Sequence, residues 1–378
     1  MSDARGVQEP PGSGELMGAD RKSAEHPQCV CVRAPNWVGD VVMATPALRT
    51  LRSRLPRARI LLVIRDKVAP VLRGTPWFDE RIVYGSRPDD AGGGAYGFMG
   101  CVREIRRRRP DLGLLLPNSF SSALMFWLAG VRRRVGYVRD SRKWLLTDPV
   151  PRPSEGGRFK PTYMGDYYLA LCRAAGIQAD SRETELPVSE EEVKAARAIL
   201  DRVGVKQGRP LFLFHPGAGF GPSKLWREDR FGALADMLAR EFGAQVACIG
   251  APGDTEAVGR IRSAARGPVT DLTNCGVDLH LLKGVMKVSA LLVTTDSGPR
   301  HYGVALGVPT VCLMGATHPD YTDSGRPHDH VVRVDVDCGP CQKKVCRLDH
   351  RCMELITPEM VAEQCRQALK AGGKSSRD

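Results

Sequence analysis

Residues 31–52 read CVRAPNWVGDVVMATPALRTLR, and this stretch decides how the chain begins to fold. A short apolar run over 29–33 ends at the sequence NWVGD, and a helical pattern follows from Asp40 to about Arg54. The change of pattern predicts a buried strand, a tight turn and a helix. A carboxylate at the exit of a buried strand is a candidate catalytic group, although a helix cap would also place an aspartate there.

Short apolar strands alternate with helical patterns along the rest of the chain. The pattern runs once through the first half and restarts near residue 210. Near-continuous apolar strands separated by helices are typical of parallel sheets that are covered on both faces. The predicted strands lie at 29–33, 59–65, 80–85, 111–117, 133–138, 210–217, 244–250, 290–296 and 309–315. We therefore predict an α/β protein with two Rossmann-like domains whose parallel sheets face a cleft.

The length of 378 residues favours two domains, and composition suggests where they begin and end. We expect a disordered leader over 1–27, because this segment is rich in Gly, Pro, Ser and charge. An N-terminal domain over 28–180 and a linker region over 181–209 follow. A C-terminal domain over 210–356 precedes a final helix over 357–372, which the Thr-Pro-Glu sequence at 357–359 introduces.

Composition excludes some classes of protein. The chain is 42% hydrophobic, but no apolar run approaches the length of about 18 residues that a membrane-spanning helix needs. Its 12 cysteines, without a secretion signal, favour free thiols in a reducing cytosol.

The net charge of +12 is concentrated in one segment. Residues 101–143 hold eleven Arg or Lys against three acids, a net charge of +8. Such a field suits nucleic acid, an anionic membrane surface or a phosphorylated substrate, although the solvated face of a helix would look the same. Nucleic-acid binding predicts interleaved exposed aromatics, whereas the aromatics here occupy positions that suit a core: Phe120, Phe126, Trp127 and Tyr137.

Three loops of the second half follow predicted strands and carry polar or small residues. In HPGAGFGPSKLWREDRF (215–231), Gly217 and Gly219 allow close approach of a ligand, and Lys224 could reach a phosphate. A Gly-rich turn with a surface lysine is the alternative, since neither GxGxxG nor a P-loop is present. In IGAPGDTEAVGR (249–260), Asp254 or Glu256 could bind ribose hydroxyls or act as helix N-terminal acids.

The third loop, TTDSGPRHYGVALG (294–307), enters a helix through small residues. Free N–H groups and the helix dipole would form a diphosphate site at that point. Asp296 and Ser297 could bind ligand or cap the helix, and His301 lies one turn further on.

A cysteine cluster near the C-terminus has the residue types of a zinc site but no standard spacing: Cys338, Cys341, Cys346 and Cys352, with His350 nearby. Both structural zinc and free or partly paired thiols fit the pattern. The sequence DVD at 335–337 has the spacing of a DxD metal-binding motif, but it ends an apolar strand pattern near the C-terminus, and we do not assign a metal to it.

Five stretches together resemble the bacterial lipopolysaccharide heptosyltransferases of glycosyltransferase family 9, particularly the heptosyltransferase II type. They are APNWVGDVVMATPALRTLR, PGAGFGPSKLWREDRF, TTDSGPRHYGVALGVPTVCLMGATHP, CGPCQKKVCRLDHRCM and ITPEMV, in the order of the family. The resemblance implies a GT-B fold in which the N-terminal domain holds the acceptor and the C-terminal domain binds the donor, ADP-heptose.

The resemblance also implies roles for particular residues. Asp40 would be the catalytic base, with Asn36 and Gly39 on the acceptor side. The donor would be bound, without a metal or cofactor, by Gly217, Gly219, Lys224, Glu256, Thr295, Asp296, Ser297, Gly298 and His301.

The implied function is inverting transfer of L-glycero-D-manno-heptose to the anionic inner core of lipopolysaccharide. The reaction would occur in the cytoplasm, with the protein in peripheral contact with the inner membrane. Nucleic acid would not be a partner. The alternative within the enzyme class is a relative that uses another nucleotide-sugar or another acceptor.

Overall fold

The computed structural model describes residues 27–85, 96–179 and 181–375. Apart from residue 27, the predicted leader lies outside the described residues. Within the described ranges the chain forms two six-stranded parallel sheets with helices packed around them. None of the helices in these ranges is long and apolar enough to cross a membrane.

The first sheet has the strand order β3-β2-β1-β4-β5-β6. Its strands are β1 (Cys29–Arg33), β2 (Arg59–Arg65), β3 (Glu80–Tyr84), β4 (Leu112–Leu115), β5 (Arg133–Tyr137) and β6 (Asp148–Val150). The helices around it are α1 (Val38–Met43), α2 (Thr45–Arg54), α3 (Phe98–Arg108), α4 (Phe120–Leu128) and α5 (Met164–Ala174). A small antiparallel hairpin, β7 (Ser154–Glu155) and β8 (Arg158–Phe159), precedes α5.

The second sheet repeats this topology with the order β11-β10-β9-β12-β13-β14. Its strands are β9 (Leu211–His215), β10 (Gln245–Cys248), β11 (Val269–Asp271), β12 (Leu291–Thr295), β13 (Thr310–Leu313) and β14 (Asp329–Val332). The remaining helices are α6 (Glu190–Arg202), α7 (Glu228–Phe242), α8 (Thr255–Ala264), α9 (Leu281–Lys287), α10 (Gly298–Ala305), α11 (Arg351–Glu354) and α12 (Pro358–Ser375). Both orders are that of the Rossmann fold, so the predicted fold class is confirmed.

The predicted helix over 40–54 is two helices, with a break at Ala44. Pro46 lacks the N–H that would bond the carbonyl of Val42. The hydroxyl of Thr45 donates to that carbonyl instead, at 2.7 Å. The break ends α1 after six residues, so Asp40 lies in a short helix that starts earlier than predicted, at Val38.

Some short strands were not predicted. β6, β11 and β14 have three or four residues each, and polar side chains interrupt their apolar pattern. They lie at or next to the outer edge of their sheets, where fewer side chains are buried.

The two sheets share one continuous hydrophobic core. It includes Leu48 and Leu62 from the first half, Leu200 from α6, and Val285 and Leu292 from the second half. Helix α6 lies in the predicted linker region, and it packs tightly on α9: a β-carbon added to Gly284 would come within 2.3 Å of the carbonyl oxygen of Glu192.

Lys283 on α9 contacts both the first half of the chain and the linker region. Its ammonium is fully buried and donates to the carbonyls of Arg73, in the first half, at 2.8 Å and Pro187, in the linker region, at 3.2 Å. It also pairs with Glu192 of α6 at 2.6 Å. The cation therefore satisfies acceptors from three separate segments.

Candidate active site

Asp40 lies in the first turn of α1, beyond the carboxyl end of β1. The hydroxyl of Tyr168 on α5 donates a hydrogen bond to its Oδ1 at 3.0 Å. Burial raises the pKa of Asp40 from 3.8 to about 6, because removing water disfavours the charged form, while the Tyr168 hydrogen bond opposes this shift. At neutral pH Asp40 is therefore an ionised carboxylate with an unusually high affinity for a proton.

Gly39 brings the two halves into contact. A β-carbon at this position would lie 2.5 Å from Cδ2 and 3.0 Å from Nε2 of His301, so only glycine fits against the imidazole. His301 on α10 therefore lies against Gly39, the residue that precedes Asp40 in the chain. Burial first, and then the cation of Arg300, lower the pKa of His301 to about 4. The ring is neutral at physiological pH and can donate or accept a hydrogen bond.

The start of α10 packs directly on α1. A β-carbon on Gly298 would lie 2.8 Å from Cγ1 of Val38. The predicted donor loop of the second half therefore meets the turn that carries Asp40 in the first half. The two stretches that the sequence singled out separately form one site.

Lys224 and Asp296 form an ion pair in this site. The ammonium donates to Oδ2 and to the main-chain carbonyl of Asp296, both at 2.7 Å, and the hydroxyl of Thr317 donates to the same Oδ2 at 2.7 Å. Burial alone would raise the pKa of Asp296, but the cations of Lys224 and Arg300 outweigh it and hold that pKa well below its usual range. Asp296 therefore remains a paired carboxylate.

Arg300 is a residue of the site that sequence reasoning missed. It is fully buried and donates Nε and Nη2 to the two carboxylate oxygens of Asp329 at 3.1 and 3.0 Å, while Nη1 lies 3.5 Å from Asp296. The sequence could have pointed to Arg300, because it lies between the predicted site residues Gly298 and His301. Its partner on β14 was not recognisable, because that strand was not predicted.

Other residues of the loops 215–231 and 294–307 contact one another. The hydroxyl of Thr295 donates to the carbonyl of Gly217 at 2.6 Å, and Ser297 Oγ lies 3.1 Å from Nδ1 of His215. Burial lowers the pKa of the His215 imidazole to about 4. Gly219 faces the indole of Trp37, which a β-carbon would meet at 4.0 Å.

Of the two acids proposed for ribose, the structure brings only Asp254 into the cluster. A β-carbon on Gly217 would lie 2.7 Å from its Oδ1. Glu256 is one residue into α8, and its side chain is 87% exposed and paired with Arg260 at 2.6 Å. The role of Glu256 in donor binding stays a prediction.

Asn36 is exposed and lies four residues before Asp40. Its side-chain oxygen accepts a hydrogen bond from Arg33 Nη2 at 2.7 Å. Arg33 is buried beneath it, which lowers the pKa of the guanidinium to about 10 and leaves it charged. The exposed amide of Asn36 is thus held in a fixed orientation.

The main chain between Cys341 and Cys346 of the cysteine cluster contacts the loop that carries Lys224. The hydroxyl of Ser223 donates to the carbonyl of Lys343 at 2.5 Å, and a β-carbon on Gly221 would lie 2.5 Å from the carbonyl oxygen of Lys344. Among the described residues, no group of three or more acids, cysteines or histidines could hold a metal ion, and this covers all four cysteines. Asp335 of the DVD sequence lies after β14 and pairs with Arg333.

The basic segment is not a uniform exposed surface. Arg142 is fully buried and donates to the carbonyls of Pro117 at 2.6 Å and Tyr137 at 2.9 Å. Arg108 pairs with Glu80 and Glu104. These two arginines stabilise the fold, and the other cations of the segment are mostly exposed.

The expectation that all four aromatics of this segment occupy core positions was wrong for two of them. Phe126 and Tyr137 are buried, but Phe120 is 38% and Trp127 46% exposed. Helix α4 contains no charged residue, so its sequence alone does not show which face points outward.

Known proteins match this chain along most of its length. Residues 99–351 match glycosyltransferase family 9 (heptosyltransferase). The chain is 30% identical over 352 residues to lipopolysaccharide heptosyltransferase 2 of Escherichia coli strain K12, covering 90% of this chain and 98% of that protein. It is 29% identical over 355 residues to the protein of the same name from Salmonella typhimurium, covering 91% and 99%.

The solved structure of E. coli ADP-heptose LPS heptosyltransferase II has the same fold, with a TM-score of 0.74 at 29% identity, covering 90% of this chain and 98% of that one. These matches confirm the resemblance seen in the sequence motifs. The chain belongs to glycosyltransferase family 9, the heptosyltransferase family.

Proposed function

We propose that this protein transfers L-glycero-D-manno-heptose from ADP-heptose to the inner core of lipopolysaccharide, with inversion at the anomeric carbon. The relatives named above, which are matched over almost their whole length, support this choice of donor and acceptor. The observation that carries the mechanism is the close packing of Val38 and Gly39, which directly precede Asp40, on Gly298 and His301 of α10.

Asp40 is the general base of the proposed reaction. It takes the proton of an acceptor hydroxyl while that oxygen attacks the anomeric carbon, and the bond to the ADP oxygen breaks with its electron pair. A pKa of about 6 keeps Asp40 ionised at neutral pH yet basic enough to accept the proton.

The neighbouring Asp296 is a poor candidate for this role. Its pKa is held well below the usual range, and one of its carboxylate oxygens already accepts from Lys224 and Thr317. The two carboxylates thus have different proton affinities because burial dominates at one and cations dominate at the other.

The donor diphosphate would lie at the start of α10. The free N–H groups of this helix and its dipole attract anionic oxygens, and Lys224 lies within reach beside Asp296. The neutral imidazole of His301, fixed against Gly39, could donate to a phosphate or sugar oxygen. These groups would stabilise the charge that develops on ADP as it leaves.

We also propose that the reaction needs no divalent metal. Asp296 lies two residues before α10, and its oxygens are engaged by Lys224, Thr317 and Arg300. A carboxylate that is already paired with two cations is a weak ligand for Mg²⁺. The DVD sequence lies in a different loop.

The proposal is tested with the full-length protein, ADP-heptose and lipopolysaccharide that lacks inner-core heptose. We expect release of ADP and a mass increase of one heptose on the acceptor. A panel of ADP- and UDP-sugars run in parallel tests the donor. Faster turnover with another nucleotide-sugar would replace the proposed donor while leaving the glycosyltransferase mechanism intact.

The same assay tests the base. Asp40→Asn should lower kcat by about 10²-fold or more while ADP affinity, measured by calorimetry, stays the same. Asp335→Asn is the matched control, since its side chain is 93% exposed, and it should behave like the parent protein. Near-parental turnover of the folded Asp40 variant would remove Asp40 from the mechanism.

A further inference from the structure

Three exposed aromatic side chains form a cluster on the outer surface of the first domain. Phe120 and Trp127 lie on α4, and Trp144 lies in the short 3₁₀ turn that follows β5. The ring of Trp144 lies 6.0 Å from Phe120 and 6.2 Å from Trp127 between centroids. The three side chains are 38%, 46% and 64% exposed. We call them the aromatic face.

The aromatic face is not explained by packing within the domain. The inner side of α4 is already filled, because Ala123, Met125 and Phe126 are buried against the sheet. The outer side carries the aromatic face, and no charged residue occurs anywhere between Pro117 and Gly130. A contiguous apolar surface of this kind marks an interaction site more often than isolated exposed apolar residues do.

The elements that carry or flank the aromatic face are rich in cations. Helix α3 packs beside α4, and Nη2 of Arg106 donates to the carbonyl of Leu128 at the end of α4, at 2.8 Å. Together α3, α4 and the turn of residues 143–145 carry one acid, Glu104, which is paired with Arg107 and Arg108. Against it they carry five cations, Arg103, Arg106, Arg107, Arg108 and Lys143.

We infer that the aromatic face docks on an anionic lipid bilayer. Tryptophan rings partition to the boundary between headgroups and acyl chains, and flanking Lys and Arg side chains are attracted to anionic headgroups. A second copy of the chain fits less well, since a two-fold contact would place these cations opposite one another. Single-stranded nucleic acid needs open ring faces, whereas Trp127 and Trp144 pack edge to face at 72°.

The location of the face suits a lipid-linked acceptor, and this step rests on the proposed function. Strand β4 is the neighbour of β1, and β5 is the next strand along. Because these strands are parallel, Phe120 after β4, Trp144 after β5 and Asp40 after β1 all follow carboxyl ends at one edge of the sheet. Docking at the face would hold the bilayer beside the edge where the acceptor hydroxyl must arrive.

The test is flotation of the full-length protein with vesicles at an ionic strength of about 0.15 M, without donor or acceptor. The vesicles are phosphatidylcholine alone or phosphatidylcholine with about one third phosphatidylglycerol. The double variant Trp127→Gln, Trp144→Gln should lower the partition coefficient for anionic vesicles about tenfold or more. Leu348→Gln is the control, because Leu348 is 65% exposed but lies in the other half of the chain, and it should bind like the parent.

Thermal unfolding of each variant shows whether it is folded, as expected for changes at exposed positions. Parental vesicle binding by the folded double variant would overturn the inference. Dimers of the parent that the double variant loses, or binding of a single-stranded RNA that depends on the same two residues, would also overturn it. Heptose transfer to detergent-solubilised lipopolysaccharide that lacks inner-core heptose is measured separately, without vesicles. Its absence would refute the proposed function without affecting the vesicle result.

Discussion

The hydroxyl of Tyr168 gives the most direct test of the proton affinity of Asp40. Tyr168→Phe removes only the oxygen that donates to Asp40 Oδ1 at 3.0 Å and keeps the buried ring. A hydrogen bond to a charged group is worth about 1.5–3 kcal/mol, and 1.36 kcal/mol corresponds to about one pKa unit. The pKa of Asp40 should therefore rise from about 6 by about one unit or more.

The assay is the pH dependence of kcat/KM for heptose transfer. The base works only when ionised, so activity rises with pH through the pKa of Asp40 and levels off above it. With a shift of about one unit, Tyr168→Phe should be about fivefold less active than the parent at pH 6 and within about 10% of it at pH 8.

Tyr167→Phe is the matched control. Tyr167 precedes Tyr168 on α5, but its hydroxyl lies 3.1 Å from Nδ2 of Asn118 instead of near Asp40. This variant should keep the acidic limb of the parent. An unshifted acidic limb in Tyr168→Phe would refute the reasoning, and so would a loss of activity that is equal at every pH.

Three further outcomes are expected. Because burial raises the pKa of Asp40 from 3.8 to about 6, ionisation of this carboxylate destabilises the fold as pH rises through this window. Asp40→Asn should therefore increase the free energy of unfolding in urea by about 2–3 kcal/mol at pH 8 and by well under 1 kcal/mol at pH 4. Equal gains at both pH values would contradict this. Gly39→Ala should lower kcat about tenfold or more by displacing the His301 ring, whereas Gly259→Ala, whose β-carbon meets nothing within 4 Å, should not. Turnover should survive exhaustive chelation with EDTA, and a strict requirement for added Mg²⁺ or Mn²⁺ would refute the metal-free proposal.

The sequence was informative where apolar pattern and chain order act together. The strands at 29–33, 59–65 and 211–215 are continuous apolar runs, so their burial and parallel pairing follow from hydrophobicity alone. The two loops that meet at the site were recognised for the same reason. Each places small and polar residues directly after such a run.

The parts that sequence could not predict depend on contacts between distant residues. Tyr168 is 128 positions from Asp40, and its sequence neighbours give no sign that its hydroxyl reaches a carboxylate. Arg142 reads as one more surface cation until the carbonyls around it are known. The break between α1 and α2 was also missed, because the helical pattern continues across Ala44.

The buried ammonium of Lys283 has a consequence for how the two halves can be separated. Separating the halves by a cut between Pro187 and α6 would remove the carbonyls of Arg73 and Pro187 and leave Glu192 as the remaining partner of this cation, and a buried charge that loses partners costs several kcal/mol. The cut would also open the core that Leu62 and Val285 share. The second half is therefore not a transplantable module, and chimaeras with relatives would need to exchange α6, α9 and the loop of Arg73 as a single unit.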